Sequence, residues 1–220
     1  MNNLLLIVSI IGVFSTTLII QKVLGKEGLI GWIGVASILA NLLLIKNIEV
    51  LGIASTLGNV LFASNFLVTD MLTENYGYQE AKKGVKFGIL SVIFFMIATQ
   101  VALLYVPSAE DIAQNCFQTM FSFIPRISIA SVSMFAVSNF IDIRLYEFLR
   151  VKSGGKKMWL RNNLCTILCN GGENFLFYFI AFGGIIDLGT MIAISVSATI
   201  IEILVALCDT PFLYLSKKIK

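Results

Sequence analysis

The chain has 220 residues, is 57% hydrophobic and only 13% charged, and its mean hydropathy is +0.89. Soluble domains carry about 25% charged residues, so this composition excludes a soluble globular domain, and 24.2 kDa of mostly apolar sequence leaves no room for a separate catalytic domain. The net charge of +3 carries no nucleic-acid signal, because the basic residues cluster between apolar runs.

Apolar runs of about 20 residues fit membrane helices, not the alternating segments of about ten residues found in barrels. In chain order the predicted spans are 3–21, 29–45, 50–72, 85–106, 120–149, 159–183 and 188–216. The fold class is an all-α polytopic membrane protein, a bundle of seven transmembrane helices, or six if spans one and two do not both cross. One membrane domain covers 1–220. Met1–Leu18 lacks a basic n-region and a cleavage site, so it reads as a first span rather than a signal peptide. Spans five and seven are long enough to tilt or kink. Pro211 is placed to kink or end the seventh, and Ser153-Gly154-Gly155 forms a flexible joint in the longest basic loop.

Charge sets the orientation. Lys22, Lys26, Lys82, Lys83, Lys86, Arg150, Lys152, Lys156, Lys157, Arg161, Lys217, Lys218 and Lys220 lie in alternate loops and at the C-terminus, 13 of the 16 basic residues. The opposite loops hold Lys46, Glu49, Glu110, Asp111 and Asp187. The positive-inside rule predicts an outside N-terminus and a cytoplasmic C-terminus.

Polar residues recur at helical spacing in four spans. Span three carries Asn59, Asp70 and Glu74, and span five carries Ser128, Ser131, Ser138, Asn139 and Asp142. Span six carries Asn163, Thr166, Asn170 and Glu173, and span seven carries Ser195, Thr199, Glu202 and Asp209. Lipid offers such groups no partner, so they face one another or a wet cavity. The Ser and Thr hydroxyls read as glue between helices, at about 0.6 kcal/mol each. Asp142 and Glu173 read differently, because a carboxylate near the bilayer centre costs about 2.5–3.5 kcal/mol on insertion scales. Each follows an amide by three residues, Asn139 and Asn170, and so shares a helix face with it. An amide beside an acid complements the N1–H, 2-amino and O6 edge of a guanine-like heterocycle. It equally suits another polar small molecule or a proton. Facing acids would repel, so one of the two is protonated or neutralised when the cavity is empty. Asp70 and Glu74 either join the site or pair with Lys82, Lys83 or an Arg. Arg126 and Arg144 read as snorkelling cations. Gly171-Gly172, just before Glu173, either admits a close helix or breaks span six. Phe140, Phe175, Phe177, Tyr178 and Phe179 could supply a wall for a flat ligand. The chain has no His, and Cys165 and Cys169 lack partners for a common metal set, so neither a metal nor a cofactor is expected. No catalytic residue is expected either, since no nucleophile has a base.

Thr69-Asp70-x-x-x-Glu74-Asn75-Tyr76-Gly77, with Ala81 and Gly88, resembles the cytoplasmic end of span three in the queuosine precursor transporter family. Ser138-Asn139-Phe140-Ile141-Asp142 is similar to that family's Ser-Gln-x-x-Asp. Arg161-Asn162-Asn163, Thr166 and Asn170-x-x-Glu173 with Phe177 resemble its second segment, and Asp209-Thr210-Pro211 with Tyr214 resembles its C-terminal signature. The resemblance covers roughly 69–214. It implies a multi-pass protein of the bacterial cytoplasmic (inner) membrane that salvages 7-deazaguanine bases for tRNA modification. The implied substrate-binding residues are Asn139, Asp142, Asn170, Glu173, Asp70, Glu74, Ser138 and Thr166. The implied partners are the base, membrane lipid and a coupling proton or sodium ion, with no nucleic acid; a homo-oligomer stays open. Asn139 and Asn170 stand where the family usually has Gln, and Glu173 where it usually has Asp. These departures bear on which 7-deazaguanine fits. The alternative reading is a substrate-binding subunit of an energy-coupling-factor vitamin importer, which needs a separate ATPase module.

Overall fold

The structure is a computed structural model. It describes every residue except 51, 123, 155, 157, 185, 186 and 220, and every side chain except, in addition, those of 47, 53, 54, 124, 166, 170 and 206. Gly155, Lys157, Lys220 and the side chains of Thr166 and Asn170 therefore lie outside the described set.

The chain is almost wholly helical, with α1 over Asn2–Leu43, a short hairpin of β1 (Asn47–Val50) and β2 (Ile53–Thr56), α2 over Asn59–Tyr76 and α3 over Tyr78–Leu104. After α3 come α4 (Gln114–Phe121), α5 (Ile124–Lys152), α6 (Met158–Phe182), α7 (Leu188–Leu207) and α8 (Thr210–Ile219). Among the described residues five helices, α1, α3, α5, α6 and α7, are long and apolar enough to cross a membrane. Their outward faces are apolar and exposed, as at Leu4, Ile7, Val8 and Ile11 on α1 and Leu90, Phe94, Ile97 and Val101 on α3. Polar residues turn inward. That is the reverse of a water-soluble bundle, and it is what a lipid solvent imposes.

Several predicted boundaries move. Spans one and two form one element that breaks at Gly25, where φ is 60° and ψ is −144°. Glycine enters that region without steric cost. The two halves fold back on each other, since the Asn2 amide donates to Glu49 O at 2.9 Å. Span three starts at Asn59 rather than 50, because 47–56 pair as an antiparallel hairpin with Asn47 opposite Thr56. Lys82, Lys83 and Lys86 lie in the first turns of α3 rather than in a loop, because Gly77 alone, at φ 94°, turns the chain between α2 and α3. The predicted fifth span loses its start to α4. The predicted seventh is two helices, α7 and α8, broken at Cys208-Asp209 with Pro211 in the first turn of α8, where its missing N–H costs nothing.

Helix α2 is the axle. From Asn59 to Asn75 only Leu61 and Phe62 escape full burial. It therefore needs no lipid-facing stripe, and its mixed composition hides it from a hydropathy search. Apolar residues of α1, α3 and α5 close on it, including Phe14, Leu29, Ile33, Val85, Phe135 and Ile143. Trp32 Nε1 donates to Ser64 Oγ at 3.0 Å and the Asn65 amide to Ser37 Oγ at 3.1 Å, fixing α1 on α2.

The basic segments gather at one end. Lys26 and Lys83 both pair with Glu80, at 3.5 and 2.7 Å. Arg150, Arg161 and Lys217 all pair with Glu74. Met1, Asn2 and the hairpin lie together at the other end. There Asp187 caps α7, accepting the Thr190 hydroxyl and the Thr190 N–H, the latter at 2.9 Å. These donors hold its carboxyl below the usual carboxylate range.

Candidate functional site

Helices α5 and α6 run antiparallel and set their polar faces against each other. Ser138 faces Glu173, and Cys169 faces Asp142. The rungs keep one register, because 138 and 142 climb α5 by one turn while 173 and 169 descend α6 by one turn. The two acids are thus diagonal neighbours about one turn apart. The Asn170 side chain lies outside the described set, so α5 meets α6 here through the Ser138–Glu173 and Asp142–Cys169 rungs.

The Asn139 amide N–H donates to Phe135 O, one turn back, at 2.9 Å. Its carbonyl Oδ1 is left buried and without a partner, as are both carboxylate oxygens of Asp142, Oε2 of Glu173 and Oδ1 of Asp70. Asp142 is 1% exposed and Glu173 7%. Buried polar groups are nearly always hydrogen-bonded. Such oxygens can take donors from water, from a ligand or from a protonated neighbouring carboxyl.

Two cavities meet at Glu173. One, of about 170 Å³, lies between α5 and α6 and is lined by Ser138, Ile141, Cys169 and Gly172. The other, of about 40 Å³, runs toward the hairpin end past Asn174, Phe177, Tyr178, Glu202 and Asn59. Both are smaller than the roughly 300–1,000 Å³ typical of small-molecule pockets, so a base-sized ligand needs α5 and α6 to part. Phe177 and Tyr178 supply the aromatic wall, whereas Phe175 and Phe179 point outward. The glycines serve neither expected purpose. A Cβ at Gly171 or Gly172 would meet nothing within 4 Å, and α6 runs through them unbroken. Gly172 keeps space open beside Glu173.

Glu74 stands apart from this pocket. It accepts from Arg161, Lys217 and, at 3.4 Å, the Tyr146 hydroxyl, with Arg150 at 3.6 Å. Of the partners considered for it in the sequence, the Arg alternative holds, while Lys83 takes Glu80. Arg161 also lies over the Tyr146 ring at 5.3 Å and donates to Lys156 O at 2.8 Å. This latch ties α2, α5, α6 and α8 together at the basic end. Asp70, one turn up α2, lies within electrostatic reach of Asp142, Asp209, Glu74 and Arg161. Arg126 donates to Ile180 O at 3.3 Å and to Gly183 O, so it caps the carbonyl end of α6. Arg144 is exposed on the outer face of α5.

Sequence reasoning missed four features. Cys165 and Cys169 are weighed in the sequence as metal ligands, yet Cys169 lines the pocket. Arg161 read as a loop cation and is 2% exposed. The steps of four from Arg161 through Cys165 and Cys169 to Glu173 were the available signal. The Asn174 amide donates to Glu202 Oε2, and the Asn162 amide to Asp209 Oδ1 at 2.6 Å. Those pairs join residues 28 and 47 positions apart, which no local pattern reveals.

Residues 56–216 match the family described as "Putative vitamin uptake transporter". The chain is 35% identical over 206 residues to a Bacillus subtilis (strain 168) protein named "Probable queuosine precursor transporter", covering 93% of this chain and 90% of that relative. It is 24% identical over 143 residues to the "Queuosine precursor transporter" of Escherichia coli (strain K12), covering 65% of this chain and 62% of that protein. No solved structure matches. Family match, relatives and inward-turned polar face agree: the chain is a multi-pass protein of the bacterial inner membrane that belongs to the vitamin uptake transporters, in the queuosine precursor transporter family.

Proposed function

We propose that this protein takes up queuosine precursors, 7-deazaguanine bases such as queuine and its 7-cyano and 7-aminomethyl precursors, as a secondary transporter and not as an enzyme. The observation that carries this reading is the set of buried acceptor oxygens without donors at Asn139, Asp142 and Glu173. A 7-deazaguanine presents N1–H and a 2-amino group on one edge, and those donors match Asn139 Oδ1 and the Asp142 carboxylate. Ser138 faces Glu173, and Phe177 and Tyr178 offer faces on which the ring can stack. Asn170 and Thr166 belong to the same proposed face of α6. The names of the relatives support the substrate class.

The chain works as one membrane domain with its N-terminus outside. It crosses seven times, counting the two halves of α1 and the buried α2. A cytoplasm-dependent reporter fused after Lys220 is then active, and the same reporter fused before Met1 is silent; equal activity at both ends contradicts the odd number of crossings. Uptake of labelled 7-cyano-7-deazaguanine by this protein alone, in a host lacking the energy-coupling-factor ATPase module, tests the transport reading. Uptake only with that module present assigns the chain instead as a substrate-binding subunit.

Glu173 is placed to contact the 7-substituent, since it sits one turn from the rung that holds the base edge. Glu173→Gln is expected to weaken binding of the cationic 7-aminomethyl base about ten- to hundredfold, and binding of the neutral 7-cyano base less. Calorimetric titration of both ligands checks this. Equal loss places Glu173 on the shared edge, and no loss for either removes α6 from the site.

A further inference from the structure

We propose that Asp70, Asp142 and Asp209 form a proton-carrying cluster beneath the base site, through which an inward proton gradient drives uptake. The cluster joins three elements: α2, α5 and the break between α7 and α8. Each of the three residues is 1% exposed. Oδ1 of Asp70, both oxygens of Asp142 and Oδ2 of Asp209 have no hydrogen-bond partner. Asp70 lies within reach of the charges of Asp142 and Asp209, and Asp209 within reach of Asp142.

The groups around the cluster do not neutralise it. Arg161 of α6 is the cation that faces Asp70; its two terminal nitrogens are on Lys156 O and Glu74 and its plane is over the Tyr146 ring, while its Nε has no hydrogen-bond partner, so one cation faces three acids. Lys217 of α8 and Arg150 of α5 are likewise on Glu74. The other facing groups are Tyr146 of α5 and Cys165, Cys169 and Glu173 of α6, none of them a cation. From α1, Gln21 spends its amide on Ser216 O. Three carboxylates with four orphaned oxygens among them cannot all be ionised in so dry a place without a matching positive charge. Among the described residues, no group of three or more acids or cysteines converges so as to hold a metal ion. Hard cations need several oxygens around one point, whereas a proton needs only one. Each of the three residues offers such an oxygen.

The coupling follows from charge. The base's two donors are best received by an ionised Asp142. Protons on Asp70 and Asp209 remove the repulsion that an ionised Asp142 would meet. Proton binding at those two residues and base binding at Asp142 therefore strengthen each other, and by linkage they do so reciprocally. Protons arrive from outside, bind carboxylate oxygens, and leave to the cytoplasm with the base. Asp209 sits at the break between α7 and the short α8, just before Thr210.

The substrate arm of the test rests on the uptake reading above, so the experiment carries two readouts. In proteoliposomes, an acid-outside gradient is expected to accumulate labelled 7-cyano-7-deazaguanine, roughly tenfold per pH unit for each coupled proton, whereas a sodium gradient at equal pH gives none. Asp209→Asn keeps an acceptor for Asn162 but carries no titratable proton. It is expected to retain base exchange at equal pH on both sides and to lose gradient-driven accumulation. Infrared spectra of the substrate-free protein at neutral pH are expected to show a protonated-carboxyl band that shrinks in Asp209→Asn. Absence of that band, accumulation that follows sodium, or wild-type accumulation by Asp209→Asn overturns the proposal. The band without exchange of any base supports the cluster and refutes the substrate assignment instead.

Discussion

Asp142→Asn abolishes uptake while leaving folded protein in the membrane. The substitution keeps the side-chain volume at a site that is 1% exposed, and it removes only the charge. In the wild type neither carboxylate oxygen is engaged by a donor from the protein, so no internal hydrogen bond is lost and thermal stability holds or rises. A buried charge that served only as structure would be tolerated, or even improved on, when replaced by a neutral isostere. Loss of a matched acceptor for the base costs about 1–3 kcal/mol of binding, roughly ten- to hundredfold, and the amide also presents an N–H to the ligand's own donors. Uptake of labelled base, with membrane content read by immunoblot, checks this. Wild-type uptake removes Asp142 from the site.

The second large effect falls on stability. Arg161→Ala is expected to lower the stability of the detergent-purified protein by about 3 kcal/mol, within the roughly 3–5 kcal/mol typical of breaking a buried ion pair. Arg161 is 2% exposed and joins Glu74, the Tyr146 ring and Lys156 O. Lys217 and Arg150 remain on Glu74, which places the loss at the lower end of that range. Replacing both partners with Met recovers part of it, because no uncompensated carboxylate is then left buried. Arg161→Lys does not substitute, since an ammonium cannot bond Glu74 while stacking on Tyr146. Thermal unfolding curves of the four proteins test this. An unchanged midpoint for Arg161→Ala shows that the latch does not hold the bundle.

Much of this was legible in the sequence for a plain reason. Lipid inverts the ordinary pattern, so Asp142 and Glu173 stand out against apolar runs in a way no soluble core residue can. The spacing of Ser138, Asn139 and Asp142 placed them on one face, and the structure keeps them there. Helix limits were less legible. The Gly25 turn shows in sequence only as one glycine among several, and the 47–56 hairpin reads as apolar span because its β-branched residues are equally at home in either. Helix α2 hid because burial on all sides removes the stripe that periodicity detects. The partners of the acids were least legible of all. Glu74 finds Arg161 across 87 residues, and Asp209 finds Asn162 across 47. The rung register of α5 on α6 depends on a helix docking that neither segment encodes alone.

The central claim is that the orphaned acceptors between α5 and α6 hold a 7-deazaguanine. Thermal stabilisation of the purified protein by a ligand panel tests it most directly, since a ligand that binds only the folded state raises stability with concentration. The panel comprises queuine, the 7-cyano and 7-aminomethyl precursors, guanine and unrelated vitamins. Stabilisation is expected from the 7-deazaguanines in the wild type and not in Asp142→Asn. Stabilisation by an unrelated vitamin alone, or equal stabilisation of the wild type and Asp142→Asn, would contradict the account.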